Sequence, residues 1–155
     1  MKITIVTAGK IKEKYLTAGI NGLGPFANVK IVEINEEKMK DNPSEAEKQQ
    51  TLQQEGQRLL RQVPEGSYLF VLDVYGQQLS SEKLAAKLDS LALQGRSNIT
   101  FLIGGAFGLS EEVRQAADFR LSFSPMTFTH QMIRLLLVEQ IYRCFKINRG
   151  EKYHW

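Results

Sequence analysis

The hydrophobic pattern alternates between two rhythms along the chain. Short, nearly continuous apolar runs fall at Lys2–Ala8, Val29–Ile34, 68–74, 99–103 and 119–124. Runs of this length and β-branched content predict strands buried on both faces. Between them lie segments with helical spacing, at 12–20, 45–62, 81–93, 110–117 and 131–148. Ser44-Glu45-Ala46-Glu47 has the form of a capping box, Ser80 and Ser110 open the next two helices, and Gly95 closes one of them. The helix after Ser44 has few apolar positions (Ala46, Leu52, Leu59, Leu60), so one face of it is predicted to be wet. Residues 21–25 are rich in breakers, and 35–43 read as a mobile, charged surface loop. Strand and helix alternate throughout. That predicts an α/β fold, a mostly parallel sheet with helices on both faces, in one domain over 1–155. No internal repeat or low-complexity tract interrupts it.

The last helix departs from the amphipathic norm. Met132, Ile133, Leu135, Leu136, Leu137, Val138, Ile141, Tyr142, Cys144, Phe145 and Ile147 point all round the cylinder. A helix apolar on every side needs cover on every side, and a homodimer is the economical source of it. Glu139, Arg143 and Lys146 form one polar stripe on this helix. Together with Arg134, Arg149 and Lys152, the stripe predicts a cationic site for an anionic substrate or a developing anion.

Two of the predicted strands end in loops of small residues. The strand at 99–103 runs into Gly104-Gly105-Ala106-Phe107-Gly108, and the strand at 119–124 ends in Ser124-Pro125-Met126-Thr127. Open parallel sheets bind small molecules outside the carboxyl ends of their strands, and glycines there admit close backbone approach. A bulky side chain at position 105 would then fill the pocket. Asp73 and His130 are the ionisable residues nearest this edge. The spacing locates a ligand without naming it.

Composition narrows the classes. Hydrophobic residues make up 43% and charged residues 24%, ordinary for a soluble globular protein. No apolar run approaches the roughly 18 residues of a membrane span, and the N-terminal apolar stretch is too short for a signal peptide, which predicts a cytoplasmic protein. The one cysteine, Cys144, excludes an intrachain disulfide and reads as a buried small hydrophobe. A net charge of +3 permits an anionic partner such as RNA and does not require one. The dinucleotide fingerprint, the P-loop, an all-Cys/His zinc site and the G-x-S-x-G elbow are all missing from the sequence.

Several stretches together resemble the RlmH family, the large-subunit ribosomal RNA pseudouridine N3-methyltransferases of the SPOUT superfamily. They are residues 8–15, 72–81, 100–110 and 121–155. The resemblance implies a C-terminal trefoil knot, a homodimer, and S-adenosyl-L-methionine as cofactor. It places cofactor contacts on Leu72, on Gly104 and its neighbour Gly105, and on Phe123, Ser124, Pro125, Met126, Thr127 and Phe128. It implies 23S ribosomal RNA, within the ribosome, as partner. Arg143, Tyr153 and His154 become the catalytic candidates, Arg143 to stabilise negative charge on the base and His154 to take its proton. The chemistry calls for no metal. Thr129 stands where family members often carry Pro, which would loosen the loop but removes no donor. The region 19–26 is shorter and glycine-rich where family members often have basic and aromatic residues, which bears on the N-terminal contribution to RNA binding and not on methyl transfer. A SPOUT enzyme acting on transfer RNA and a non-catalytic ribosome-binding module are the alternatives.

Overall fold

β1 (Lys2–Ala8) lies inside a five-stranded sheet of order β2-β1-β4-β3-β5, and every described pairing is parallel. The structure is a computed structural model that describes residues 1–23 and 29–152, without the side chains of 22 and 23. The remaining elements are α1 (Lys14–Leu23), β2 (Val29–Ile34), α2 (Glu45–Arg61), β3 (Tyr68–Gln78), α3 (Ser81–Leu93), β4 (Asn98–Ile103), α4 (Glu111–Ala116), β5 (Phe119–Ser122) and α5 (His130–Asn148). The predicted α/β class holds, with helices on both faces. Side chains alternate across the strands and define two cores. Ile3, Ile5, Phe70, Ile99, Phe101 and Leu121 face α3 and α5, with Phe70 stacked on Phe101 at 4.7 Å between centroids. Val6, Ala8, Leu69, Val71 and Leu102 face α2 and α4 through Leu59 and Val113.

The caps follow local chemistry. Ser44, Ser80 and Ser110 each accept a backbone N–H three residues on, satisfying a donor the first helical turn leaves free. Ser44 also donates to Glu47, completing the capping box. Gly95 has φ +79 just past α3. The helix predicted at 12–20 starts two residues later, because Lys10 and Lys12 bond through their backbone to Gln131. Residues 21–23 are helical rather than loop, and 24–28 lie outside the described residues.

β3 outruns its prediction. Its pairing to β5 breaks after Leu72 and resumes at Gln77, with Leu121 serving both registers. The excursion is held by Asp73, which accepts from its neighbour Tyr75 N–H at 3.0 Å. At Gly76 a Cβ would lie 2.5 Å from the Arg120 carbonyl oxygen, so the two backbones meet without room for a side chain. The polar run 75–78 hid this continuation. β5 is correspondingly shorter than predicted, because the Ser122 hydroxyl donates to the carbonyl of Val74 or of Ser124 and turns the chain.

α5 lies between α1 and α3 on one face of the sheet, so these neighbours supply much of the cover its apolar surface requires. Cys144 is buried, its thiol pushed up to about 12 by desolvation. Arg134 does not join the cationic site predicted for an anionic substrate, since its charge is satisfied inside the fold. It is fully buried, and its guanidinium meets Glu33 at 3.2 Å, the Thr7 hydroxyl at 3.1 Å and the Gly9 carbonyl at 2.9 Å. Removing one partner of such a cluster leaves the others desolvated and unpaired. Arg134→Ala is therefore expected to cost about 3 kcal/mol, read from the urea midpoint. Glu33→Gln should cost clearly less, because Glu33 keeps 29% of its side chain in solvent.

Candidate active site

The carboxyl ends of β1, β3, β4 and β5 open onto one cavity of about 1020 Å³. One wall is the β3 excursion, 72–75. A second is the glycine loop, 104–109. A third is the segment 123–128 that leaves β5, and the fourth combines Gly9, Lys10, Lys12 and Glu36 with the first turn of α5. Of the nine predicted cofactor residues, Leu72, Gly104, Gly105, Phe123, Ser124, Met126, Thr127 and Phe128 line this cavity, and Pro125 does not. Leu72, Ile103, Leu109, Leu121 and Phe123 make an apolar lining. At the rim Tyr75 and Met126 are 79% and 72% exposed. An apolar lining with a few convergent polar groups is the usual form of a small-molecule site.

The glycine loop is held from behind by Glu55, a residue the sequence reading passed over. Its Oε1 accepts the Gly105 N–H at 3.1 Å and its Oε2 the Glu37 N–H at 3.3 Å. Burial raises the Glu55 pKa; the two N–H bonds lower it, and Glu36 and Glu37 raise it further. A Cβ on Gly105 would lie 2.7 Å from Oε1 of Glu55. Bulk at 105 thus collides first with the carboxylate behind the loop, which corrects the expectation that it would simply fill the pocket. Glu36 and Glu37 belong to the stretch predicted to be a mobile loop. Instead Glu37 pairs with Arg58 at 2.7 Å and Glu36 with His130 at 2.9 Å, so the stretch forms a wall.

The other loops have similar anchors. Asp73 is buried between Arg114 at 3.2 Å and Arg120 at 3.3 Å. Those two cations occupy its carboxylate, and the aspartate organises the β3 excursion. The Ser124 hydroxyl accepts the Met126 N–H at 3.0 Å, and the Thr129 hydroxyl accepts the Met132 N–H at 3.1 Å. Thr129 is the N-cap of α5. The loop expected to be loosened there is held by this hydrogen bond.

Arg143 is not brought to the cavity by its own chain. It pairs with Glu139 at 2.6 Å on α5. Ten residues of helix separate it from Ile133, the last residue of α5 on the cavity wall, a rise of about 15 Å. Lys146 pairs with Glu151. The predicted stripe is therefore a series of ion pairs, and Tyr153 and His154 lie outside the described residues. Sequence signals for Glu55 and Glu36 were weak, since both sit in polar stretches where a carboxylate is ordinary. Among the described residues, no group of three or more His, Cys, Asp or Glu side chains is placed to hold a metal ion, and no helix is long and apolar enough to cross a membrane.

An open parallel sheet with a cavity built from three loops at its carboxyl edge defines the class of ligand-binding open α/β folds, and comparison with known proteins bears on which member this is. A family model described as a predicted SPOUT methyltransferase matches residues 1–154. The chain is 52% identical to the ribosomal RNA large subunit methyltransferase H of Halothermothrix orenii, over 99% of each chain. It is 50% identical to the protein of the same name from Alkaliphilus oremlandii, with the same coverage. A probable methylase family protein of Haemophilus influenzae superposes with TM-score 0.58 at 11% identity, covering 99% of this chain and 70% of that one, and shares the fold. The chain belongs to the SPOUT methyltransferase family, within the RlmH group of these relatives.

Glu55 yields a test with a defined sign. Its pKa is raised on folding, so its stabilising contribution is complete below the unfolded carboxylate pKa and is lost as pH rises through the folded value. Relative to the parent protein, Glu55→Gln should therefore gain stability as pH is raised from acid to neutral, measured by urea titration. Glu55→Ala should loosen the glycine loop, seen as faster amide exchange at Gly105.

Proposed function

We propose that this protein transfers a methyl group from S-adenosyl-L-methionine to N3 of a pseudouridine in 23S ribosomal RNA, acting on the large subunit within an assembled ribosome. The observation that carries the reading is the convergence of the three loops on one cavity at the sheet edge. Its size and apolar lining suit a flat nucleoside, and the backbone N–H and C=O groups of 104–108 and 123–128 suit its polar edges. The names of the RlmH relatives supply the large-subunit RNA. S-adenosyl-L-methionine, when bound, supplies an electrophilic sulfonium methyl. The chain's residues then hold donor and base in line, and alignment of this kind removes several kcal/mol of barrier, about 7 or more in favourable cases.

The working unit is a homodimer of single-domain protomers. Met132, Leu136, Glu139 and Arg143 recur along one face of α5 and are half-buried, which leaves a mixed apolar and charged strip for a second protomer. A two-fold contact there would carry Arg143 toward the partner's cavity, where its guanidinium stabilises developing negative charge on the base. Tyr153 and His154 serve the same substrate in this scheme. The chain leaves β5 at one sheet edge and returns across the cavity to the end of β1 at α5, the kind of crossing a C-terminal trefoil knot takes. A net charge of +3 is too small for tight capture of a naked stem-loop, so the ribosome itself supplies most of the docking surface.

Deleting residues 151–155 should leave S-adenosylhomocysteine affinity largely intact by calorimetry. It should lower single-turnover methyl transfer to ribosomes by about 100-fold. Arg143→Ala should lower transfer at every pH, since arginine supplies charge at all of them. Full transfer by the truncated protein, or a monomer by light scattering at micromolar concentration, would count against this arrangement. Mass spectrometry of ribosomal RNA from cells with and without the protein tests the target nucleotide.

A further inference from the structure

Three chain segments meet at one corner of the cavity, and the scheme above uses none of their side chains. His130, the first residue of α5, places Nε2 2.9 Å from Oε1 of Glu36, which follows β2. Both line the cavity. The imidazole keeps 18% of its side-chain surface exposed, enough to be reached and too little to swing freely. Gly9 at the end of β1 leaves the space for the pair. Its φ is +85, and a Cβ there would lie 2.7 Å from the Glu36 carboxylate oxygen and 3.1 Å from His130 Nε2. The backbone beneath the ring is fixed by Gln131, which donates to the Lys10 carbonyl at 2.7 Å and accepts the Lys12 N–H at 3.2 Å. A neutral imidazole that donates Nε2–H to a carboxylate keeps its lone pair on Nδ1. With Nε2 turned to Glu36, Nδ1 is the ring nitrogen left to accept a proton on a residue of the cavity wall.

We propose that His130 is the proton acceptor of the methyl transfer, and that Glu36 is its positioning partner. This rests on the reading that a pseudouridine N3 is the substrate atom. The imide N3–H bond breaks and its proton goes to His130 Nδ1. The freed pair on N3 forms the N–CH₃ bond, while the S–CH₃ bond of S-adenosyl-L-methionine breaks and its pair stays on sulfur. The positive charge that leaves sulfur reappears on the imidazolium, where Glu36 stabilises it. The charged groups facing the ring are Glu36 after β2, Lys12 before α1 and Arg134 on its own helix. Burial lowers the His130 pKa below its ordinary 6.5, Glu36 opposes this, and Arg134 and Lys12 add to it. The ring is thus neutral and ready to accept at neutral pH. The role expected of His154 passes to the other histidine of the chain.

The test compares His130→Gln, Glu36→Gln and His154→Ala across pH, using labelled methyl transfer to ribosomes and S-adenosylhomocysteine affinity. In the parent protein, turnover should rise with pH to a plateau as His130 loses its proton. His130→Gln should be about 100-fold slower near pH 7 and climb by roughly a decade per pH unit, with cofactor affinity held within about twofold. Glu36→Gln should shift the parent's rising limb to lower pH, because it removes the group that raises the His130 pKa. It keeps the imidazole, so it decides the matter even if His130→Gln folds poorly. Imidazole NMR of the cofactor-free protein should show His130 protonated on Nε2, with its pKa lowered in Glu36→Gln. A parental limb in His130→Gln, or one lost in His154→Ala instead, would overturn the assignment, as would a rate loss explained by weaker cofactor binding. If the parent protein binds S-adenosylhomocysteine and labels no ribosome, the substrate reading falls and takes this one with it. Labelling with an unmoved limb in both His130→Gln and Glu36→Gln removes this inference alone.

Discussion

One buried guanidinium holds the site together. Arg134 has no exposed surface, and its charge is compensated by Glu33, the Thr7 hydroxyl and the carbonyls at the end of β1. Burying an arginine costs several kcal/mol unless each donor is met. Here Nε alone goes without a partner among the described residues. The cluster therefore works mainly through placement, fixing where α5 enters the fold and at what height along the sheet. Thr129, His130 and Gln131 lie in the turn just before it. The cavity wall they form, and the bonds from Gln131 to the β1–α1 connection, all depend on that entry point.

A second principle is the use of carboxylates as struts. Glu55 spans two backbone N–H groups, Asp73 joins two arginines to a turn, and Glu36 meets a histidine. Each ties one irregular segment to another where no regular ladder of hydrogen bonds is available. An irregular loop near a ligand must keep its polar backbone satisfied without becoming mobile, and a side chain with two acceptor oxygens does this economically. Gly76 and Gly105 complete the arrangement, since a Cβ at either would meet the neighbour it must approach.

The regular elements could be read from the chain because their signals are local. Apolar runs of strand length and serines three residues before a free N–H report on their own neighbourhoods, and β1, β2 and the capped helices fall where those signals put them. The loops of the site could be located for the same reason, through glycines and a Ser-Pro turn. The struts could not. Glu55 sits in a run of Gln and Glu, where nothing distinguishes a buried carboxylate from a solvated one, and its partners are 18 and 50 residues away. Arg134 looked like one more cation on a basic helix. Arg143 illustrates the converse, since its residue type suited the chemistry while its place on α5 keeps it off its own chain's cavity.

Arg134 meets Thr7 across 127 residues of chain, and this separation bears on how the protein is made. Domains form from the N-terminus as synthesis proceeds, yet β1 waits for β4 as a neighbour and for α5 to close the pocket at its end. A growing chain can pair β1 with β2 early, but the cavity at the sheet edge lacks its fourth wall until α5 has been translated and docked. Partly made protein therefore carries an open sheet edge in place of a closed cavity, and a truncated product that ends before α5 would keep three of the four walls without the one that shuts them in.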